Sequence, residues 1–219
     1  MNITNYPLKR GQWYEEPTKK QYVVWHGTEG RTRNTPASGR PGRATTSIDA
    51  WNLDANRVGA PYLVDRDGTI IKTFDDAGWI YHLGLNGTKG RYDRSAVAIE
   101  FANEGPLTLD GDRLYAFGMN TPNTIYTGLH FAAEWRDRGY FAELDEAQID
   151  AGIELTLDIC RRHEIDPVFY YPSTVFDFPR CFQVATIVCH SNCRKDKLDL
   201  CLPDWVFQKI EAAGIRLQS

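Results

Sequence analysis

Two short runs of apolar, strand-forming residues each end in a histidine, and this repeated pattern limits the possible folds more than any other feature of the chain. The first run is Gln21–Trp25, followed by His26, and the second is Val184–Cys189, followed by His190. Runs of β-branched and aromatic residues of this length predict buried strands. Because a strand end holds a side chain on a rigid base where a loop begins, both histidines are predicted to serve a functional site.

Three further segments have the character of strands. Residues 60–64 and 69–74 flank the turn Asp65–Gly68, and an Asp-Gly pair between two apolar runs predicts a β-hairpin. Residues 96–101 are apolar except for Glu100, so they predict a buried strand that carries one carboxylate. Residues 102–125 are rich in Gly, Pro and Asn and predict a long connection.

A long helix is predicted in the second half of the chain. Ile149, Ile153 and Leu157 recur every fourth residue, as the buried face of a helix requires. Asp145 and Gln148 form a pair with the spacing of a capping box, which predicts that the helix begins beside them.

The remaining segments complete a mixed pattern. A helix is predicted from an N-cap at Ser47 to about residue 56, and another covers residues 203–215, whereas residues 1–20 predict an irregular lead-in. Strands and helices mixed along one chain predict a single α/β domain over residues 1–219, with a central mixed sheet flanked by helices.

Length and charge narrow the functional classes. A chain of 219 residues suits one domain with a full-sized core, and no run of about eighteen apolar residues predicts a membrane span. The net charge of −4 argues against a nucleic-acid partner. The first twenty residues lack an apolar segment with a cleavage site, so we expect no secretory signal and synthesis in the cytoplasm. The sequence leaves the oligomeric state open.

One local cluster of basic residues departs from the overall acidic balance. It lies in a segment rich in Gly, Pro, Ser and Thr and consists of Arg31, Arg33, Arg40 and Arg43. Two interpretations remain open: a solvated loop, or a basic rim that holds an acidic ligand such as a carboxylate.

The cysteines do not have the pattern of a disulfide framework. Their number is odd, the first half of the chain has none, and the five are Cys160, Cys181, Cys189, Cys193 and Cys201. This usage is typical of a reducing compartment.

His26 and His190 are candidate metal ligands. A catalytic zinc site needs about three protein ligands and one open position for water. Candidates for the third ligand follow His190 closely, and they are Cys193, Asp196, Asp199 and Cys201. His130 and His163 fall in predicted helical stretches without a partner pattern, so we interpret them as structural.

Four motifs follow one another along residues 21–205, at residues 23–28, 58–69 with 81–84, 97–103 and 190–199. Together they resemble the motifs of the type 2 N-acetylmuramoyl-L-alanine amidases, which share a fold with peptidoglycan recognition proteins and phage amidase endolysins. The first is like the strand that ends in the first zinc histidine, the second like a hairpin followed by Trp-His-Ala-Gly, the third like the strand that bears the catalytic glutamate, and the fourth like the second zinc histidine followed by Lys-x-Asp. In this chain they are residues 23–28, residues 58–69 with Tyr81-His82-Leu83-Gly84, residues 97–103, and His190 with Lys197-Leu198-Asp199.

The resemblance implies an activity and a set of roles. It implies one Zn²⁺ per chain, and hydrolysis of the amide bond between the lactyl group of N-acetylmuramic acid and the first L-alanine of the stem peptide in peptidoglycan or muropeptides. His26, His190 and Asp199 match the zinc ligands. Glu100 matches the glutamate that handles the proton of the water, and Lys197 matches the lysine that supports developing negative charge.

His82 has two interpretations. In the functional one it lies at the rim of the cleft and contacts the substrate or the tetrahedral oxyanion. In the structural one it is a loop histidine packed under Trp79 or Tyr81.

The third ligand is where this chain departs most from the family pattern. The family usually continues Lys-x-Asp with Pro-Gly, whereas Leu200-Cys201 follows here. The gap from His190 to Asp199 is also one residue shorter than in the Asp-type members. We therefore expect Asp199 as the ligand, with Cys201 and Cys193 as the alternatives.

Other departures concern the cleft. The hairpin has Pro61 where a histidine is common and Ala60 where some phage members carry a catalytic tyrosine, while Glu100 suggests the glutamate-using branch. Residues from about 105 to 145 form a longer segment than a minimal amidase needs, and we interpret them as a possible insertion that shapes substrate choice.

Other functions remain as alternatives. The first is a non-catalytic peptidoglycan-binding module on the same fold. A zinc-dependent protein hydrolase or deaminase is disfavoured, because the chain has neither His-Glu-x-x-His nor the His-x-Glu with Cys-x-x-Cys pattern. For the biological setting, we favour an endolysin that acts on the cell wall after release over a recycling enzyme or an exported effector.

Overall fold

The computed structural model of the protein describes residues 1–30, 32, 34–35, 43–117 and 125–219. Of the predicted basic cluster, Arg31, Arg33 and Arg40 lie outside the described residues, and Arg43 is exposed. None of the helices in the described ranges is long and apolar enough to cross a membrane.

The described residues form twelve strands and six helices. The strands are β1 (Ile3–Asn5), β2 (Tyr22–Gly27), β3 (Tyr62–Val64), β4 (Ile70–Lys72), β5 (Ala96–Phe101), β6 (Pro106–Asp110), β7 (Arg113–Ala116), β8 (His130–Trp135), β9 (Arg138–Ala142), β10 (Val168–Tyr170), β11 (Ile187–Cys189) and β12 (Arg216–Gln218). The helices are α1 (Thr45–Trp51), α2 (Arg91–Ser95), α3 (Glu146–Arg162), α4 (Cys181–Val184), α5 (His190–Cys193) and α6 (Asp204–Ala212).

Eight strands form one central sheet in the order β1-β4-β3-β5-β2-β11-β10-β12. The strands from β3 to β12 in this order run parallel, whereas β4 is antiparallel to β3 and pairs in parallel with β1. Strands β5, β2 and β11 lie side by side near the centre, so their carboxyl ends meet at one edge of the sheet. The predicted α/β fold with a mixed sheet is confirmed.

Side chains alternate between the two faces of the central strands, as the period of a strand requires. In β2, Val23 and Trp25 pack in the core with α3 and α6, and the indole Nε1 of Trp25 donates to Thr156 Oγ1 of α3 at 2.9 Å. Val24 packs on the other face, in the core that contains Leu83. The same alternation places His26 on the face opposite α3.

The prediction for residues 102–125 is wrong in part, because they contain β6 and β7 rather than a structureless connection. These strands join β8 and β9 in a second, antiparallel sheet of order β7-β6-β9-β8. His130, predicted to lie in a helix, begins strand β8. The segment interpreted as a possible insertion thus forms a sheet of its own, apart from residues 118–124, which lie outside the described ranges.

Three local predictions also need correction. Residues 1–20 are not wholly irregular, because Ile3–Asn5 pairs with β4 as an edge strand. The first helix begins at Thr45 rather than after Ser47. Helix α3 has no side-chain cap at Asp145; Gln148 instead donates from its Nε2 to the carbonyls of Val64 and Ala102, at 2.8 and 3.1 Å.

A buried ion pair joins the β3–β4 hairpin to the segment after β5. Arg66 Nη2 lies 2.6 Å from Glu104 Oε2, and both side chains are at most 1% exposed. Arg66 also donates to Thr32 Oγ1 at 3.1 Å and to the Glu143 carbonyl at 2.7 Å, so the guanidinium links three segments around the start of the second sheet.

Loss of this carboxylate is expected to destabilise the fold. In Glu104→Gln the guanidinium of Arg66 stays buried, with Asp145 Oδ2 at 3.6 Å as its nearest remaining anion, so the free energy of unfolding should fall by about 3 kcal/mol. Urea denaturation checks this value. The control is Asp166→Asn, which breaks the exposed pair with Arg216 and should change stability by less than about 1 kcal/mol. Equal effects would contradict the role assigned to burial.

Candidate active site

Three central strands bring the candidate residues to one edge of the sheet. His26 lies near the end of β2 and pairs in register with Glu100 of β5, so both side chains project from the same face. His190 follows the last residue of β11, and that residue, Cys189, pairs with Trp25. Ligands of open α/β sheets commonly bind at the carboxyl ends of parallel strands, which is where these residues lie.

His26, His190 and Asp199 form a compact cluster of buried ligand atoms. His26 Nδ1 lies 3.0 Å from His190 Nδ1, and Asp199 Oδ2 lies 3.1 Å from His190 Nδ1 and 3.4 Å from His26 Nδ1. Three atoms bound tetrahedrally to Zn²⁺ at its usual bond lengths lie about 3.3 Å apart. The spacing of the cluster therefore fits a zinc ion.

A hydrogen bond from the imidazole nitrogen that points away from the cluster determines which tautomer His190 adopts. His190 Nε2 lies 3.0 Å from the Leu83 carbonyl, which can only accept, so Nε2 carries the hydrogen and the neutral ring has a lone pair on Nδ1. That lone pair faces the Asp199 carboxylate, which also only accepts. Two acceptors held together in a buried site require a cation or a proton between them, which agrees with a metal-binding role.

His82 contacts Nε2 of His26, the ring nitrogen that points away from the cluster. Its Nδ1 lies 3.0 Å from His26 Nε2, so when His26 offers its Nδ1 lone pair to the cluster, its Nε2–H donates to His82. His82 then carries its hydrogen on Nε2, a buried atom with no hydrogen-bond partner in the described residues. Asp93 holds this loop by accepting from the backbone amides of His82 and Leu83, at 2.8 and 2.9 Å.

The protonation states of the cluster suit metal binding. Burial and the neighbouring His190 lower the pKa of His26 to about 4, and burial beside His26 holds the pKa of His82 well below its usual value. Burial raises the pKa of Asp199, but contacts with His190 and His26 outweigh it, so the pKa lies below the ordinary range. At neutral pH the cluster thus offers neutral His26 and a carboxylate, the forms that bind metal.

The geometry distinguishes among the candidates for the third ligand. Asp199 joins the two histidines, whereas neither Cys193 nor Cys201 belongs to the group. The Cys193 thiol is buried and points to the Cys189 carbonyl at 3.6 Å, and burial raises the pKa of the Cys201 thiol to about 12. Asp196 is exposed and pairs with Arg194. All five cysteines are free.

A cleft of about 260 Å³ opens beside the cluster. Its lining includes His82, Glu100, His190, Arg194 and Lys197. Glu100 Oε2 is buried and has no hydrogen-bond partner in the part of the chain that the structure describes. Burial raises the pKa of Glu100 to about 8; Asp199 adds to this shift, and Lys197 opposes it. A glutamate with such a pKa is a stronger base than an ordinary surface glutamate.

Comparison with models of known protein families assigns the chain to one family. The family model described as N-acetylmuramoyl-L-alanine amidase matches residues 16–199, more than four fifths of the sequence. The chain belongs to the N-acetylmuramoyl-L-alanine amidase family. The matched range contains the three clustered ligands, Glu100 and Lys197. No curated protein sequence matches the chain.

Solved structures similar to this chain share its fold at low sequence identity. AmiD from E. coli, solved with anhydro-N-acetylmuramic acid-L-Ala-D-γ-Glu-L-Lys, has a TM-score of 0.51 and 19% identity; the match covers 92% of this chain and 60% of that chain. The PlyG catalytic domain has a TM-score of 0.52 at 11% identity, with 100% and 99% covered. A mutant endolysin from Bacillus subtilis has a TM-score of 0.50 at 14% identity, with 97% and 96% covered.

The other histidines of this chain lie outside the ligand cluster. His163 follows helix α3, and its Nε2 lies 3.4 Å from Asp76 Oδ2, while His130 is exposed on β8. Two groups that support the site were not predicted from sequence, namely the Leu83 carbonyl, which contacts His190, and the Asp93 carboxylate, which holds the loop of His82. A backbone carbonyl leaves no mark on the sequence, and an aspartate in a polar loop is indistinguishable from a solvated one.

Proposed function

We propose that this member of the amidase family is a zinc-dependent hydrolase that cuts the amide bond between the lactyl group of N-acetylmuramic acid and L-alanine. The observation that carries the proposal is the convergence of His26, His190 and Asp199 beside the unpartnered oxygen of Glu100. Unsatisfied buried polar atoms are uncommon in folded proteins, and in a cleft they favour a bound ion, water or substrate.

Glu100 is proposed to move the proton. Zn²⁺ bound by the three ligands would polarise the scissile carbonyl and lower the pKa of a water toward roughly 7. Glu100, which pairs in register with His26 on the neighbouring strand, accepts the proton of the attacking water and then donates it to the leaving alanine nitrogen. Its raised pKa favours uptake of the proton from the water, and the protonated carboxyl group is then the donor to the amine nitrogen.

Lys197 and His82 are proposed to act on the substrate. Lys197 lines the same cleft as Glu100, so its ammonium group can stabilise the negative charge that develops on the carbonyl oxygen. His82 also lines this cleft, and its unpartnered Nε2–H can donate to a substrate carbonyl. This supports the functional interpretation of His82 over packing alone.

The substrate is proposed to be peptidoglycan or a soluble muropeptide. AmiD was solved with an anhydromuropeptide, and the present chain spans 60% of its length. Another structural neighbour is an endolysin. We favour an endolysin setting, in which the enzyme acts on the cell wall after release. The sheet β6–β9 lies in the segment that we interpret as an insertion that shapes substrate choice.

Metal removal tests this proposal. Purified protein is expected to contain one zinc per chain, to lose amidase activity on a defined muropeptide after chelation, and to regain it with one equivalent of Zn²⁺ but not with Mg²⁺, which prefers oxygen ligands. Zinc at about 100 times its Kd should raise the unfolding free energy by roughly 2.7 kcal/mol. Elemental analysis and the release of free stem peptide are the measurements.

A non-catalytic peptidoglycan-binding module is the alternative outcome. Protein that binds muropeptide but neither holds zinc nor releases stem peptide, even with excess metal, would establish that function instead. Protein that holds zinc and cleaves a different amide would retain the metal centre and reject the proposed substrate.

A further inference from the structure

The hairpin between β8 and β9 contacts the loop that joins two of the candidate metal ligands. Arg136, at the tip of this hairpin, donates from Nη2 to the Ser191 carbonyl at 3.0 Å and from Nη1 to the Arg194 carbonyl at 3.1 Å. Nη1 also donates to the Lys197 carbonyl. One guanidinium therefore binds three carbonyls spread over the loop between His190 and Asp199.

The neighbouring residue holds the same hairpin in place. Trp135 donates from its indole Nε1 to the Thr174 carbonyl at 2.9 Å, and its ring lies 4.5 Å from the guanidinium carbon of Arg136. Stacking on an aromatic face restricts the planar guanidinium and preserves its hydrogen-bonding edge. The position of Arg136 is thus fixed by the ring on one side and by the loop on the other.

The backbone at the tip is in a conformation that its residues disfavour. Arg136 and Asp137 have φ angles of 51° and 61°, and they link Trp135 to its pairing partner Arg138. A two-residue hairpin turn with two positive φ angles favours Asn-Gly, because a side chain with a Cβ is crowded there. Strained residues that persist in a structure are often functional, which draws attention to what Arg136 does.

Contacts outside the loop fix its first part, where Ser191 Oγ donates to the Ser173 carbonyl at 2.6 Å and Asn192 Nδ2 donates to the Val175 carbonyl at 2.7 Å. The second part, residues 194–198, is held by backbone hydrogen bonds of the loop itself and by Arg136. Within the loop, the Arg194 amide donates to the His190 carbonyl at 3.1 Å and the Lys197 amide to the Arg194 carbonyl at 3.4 Å. The Ser191 amide donates to the Asp199 carbonyl at 2.8 Å, which closes the loop on itself. Arg136 binds the middle of this closed loop from outside, and the side chains of Lys197 and Asp199 project from it.

We propose that Arg136 is a positioning residue of the active site, which holds the His190–Asp199 loop so that Asp199 and Lys197 keep their places. The sheet β6–β9 is then part of the catalytic apparatus through this contact. The inference rests on the proposed function for the identity of the metal. The claim that Arg136 holds the loop in place does not depend on a bound metal.

Two neighbouring substitutions separate positioning from simple folding of the hairpin. Arg136→Asn removes the guanidinium and places an amino acid that favours positive φ at the same position, so the turn itself is preserved. Asp137→Gly relieves the other crowded position and leaves the guanidinium untouched. Zinc Kd by chelator competition, hydrogen exchange of the metal-free loop, and the absorption spectrum of the Co²⁺-substituted protein are compared with the wild type.

Arg136→Asn is expected to weaken zinc binding by roughly 10- to 100-fold, the range for loss of a residue that orients metal ligands, and to change the Co²⁺ spectrum. Amide exchange should become faster in residues 194–199 and stay unchanged in α3. Asp137→Gly should match the wild type in all three measurements.

Other results would overturn the inference. Wild-type zinc affinity and loop exchange in Arg136→Asn would show that the three hydrogen bonds do not position the loop. Equal losses in Arg136→Asn and Asp137→Gly would assign the effect to the hairpin fold. If the wild type binds no zinc, the proposed function fails, and faster exchange of the metal-free loop in Arg136→Asn alone still decides whether Arg136 positions it.

Discussion

Replacing Glu100 with glutamine is expected to lower kcat for muropeptide hydrolysis by roughly 10²- to 10⁴-fold, the usual contribution of a general acid–base group. Glutamine keeps the size of the side chain and cannot take up the proton of the attacking water. Glu100 is not among the clustered ligand atoms, so the variant should still contain one zinc per chain. The measurements are steady-state kinetics on a defined muropeptide and elemental analysis.

A second carboxylate provides the matched control for Glu100. Glu29 is exposed and lines a small neighbouring cleft together with Asp199 and Cys201. Glu29→Gln is expected to keep kcat within a few-fold of the wild type. The assignment of the proton to Glu100 is wrong if Glu29→Gln loses turnover and Glu100→Gln keeps it.

The central sheet was predictable because its strands have strong local signals. The run Ala96–Phe101 alternates between side chains that pack against α3 and side chains on the opposite face, and its bounds agree with the prediction. The histidines at the ends of β2 and β11 were placed at strand ends for the same reason. Parallel pairing in register then brings His26 opposite Glu100, a consequence of topology that needs no special motif.

The second sheet was not predictable from local patterns. Strand β6 pairs with β9, which lies about thirty residues further along the chain, so composition alone suggested a connection. Strand β8 reads His-Phe-Ala-Ala-Glu-Trp, and its alanines and glutamate favour a helix in isolation. Pairing with β9 overrides that preference. The edge strand β1 has three exposed residues and no apolar pattern to mark it.

Within the site, too, the sequence left open which residue is the third ligand, and the structure distinguishes the candidates. Departures from the family pattern after Asp199 left that position open to the two cysteines when only the sequence was considered. The closed loop brings Asp199 Oδ2 to the histidine nitrogens, and the thiol of Cys193 turns into the core. The contact of Arg136 with three backbone carbonyls could not be predicted, because carbonyls are present at every residue.

Replacing Asp199 with alanine is expected to weaken zinc binding by more than about 100-fold, beyond the range for an outer-shell residue, and to abolish measurable turnover at limiting zinc. The variant retains His26 and His190 but loses the anionic ligand that lies 3.1 Å from His190 Nδ1. In the wild type, Asp199 Oδ1 is also buried and has no hydrogen-bond partner in the described residues, so the substitution removes few other contacts of the carboxylate. Chelator competition gives the Kd directly.

Two control variants in the same segment test whether the loss of zinc binding is specific to Asp199. Asp196→Ala removes an exposed carboxylate three residues earlier that pairs with Arg194, and its zinc affinity should equal that of the wild type. Cys201→Ser removes the nearest alternative thiol in the sequence and should also retain zinc. Full zinc binding by Asp199→Ala together with loss in Cys201→Ser would move the third ligand to the thiol. Loss in Asp199→Ala alone establishes a site of two imidazoles and one carboxylate, which leaves one tetrahedral position for water.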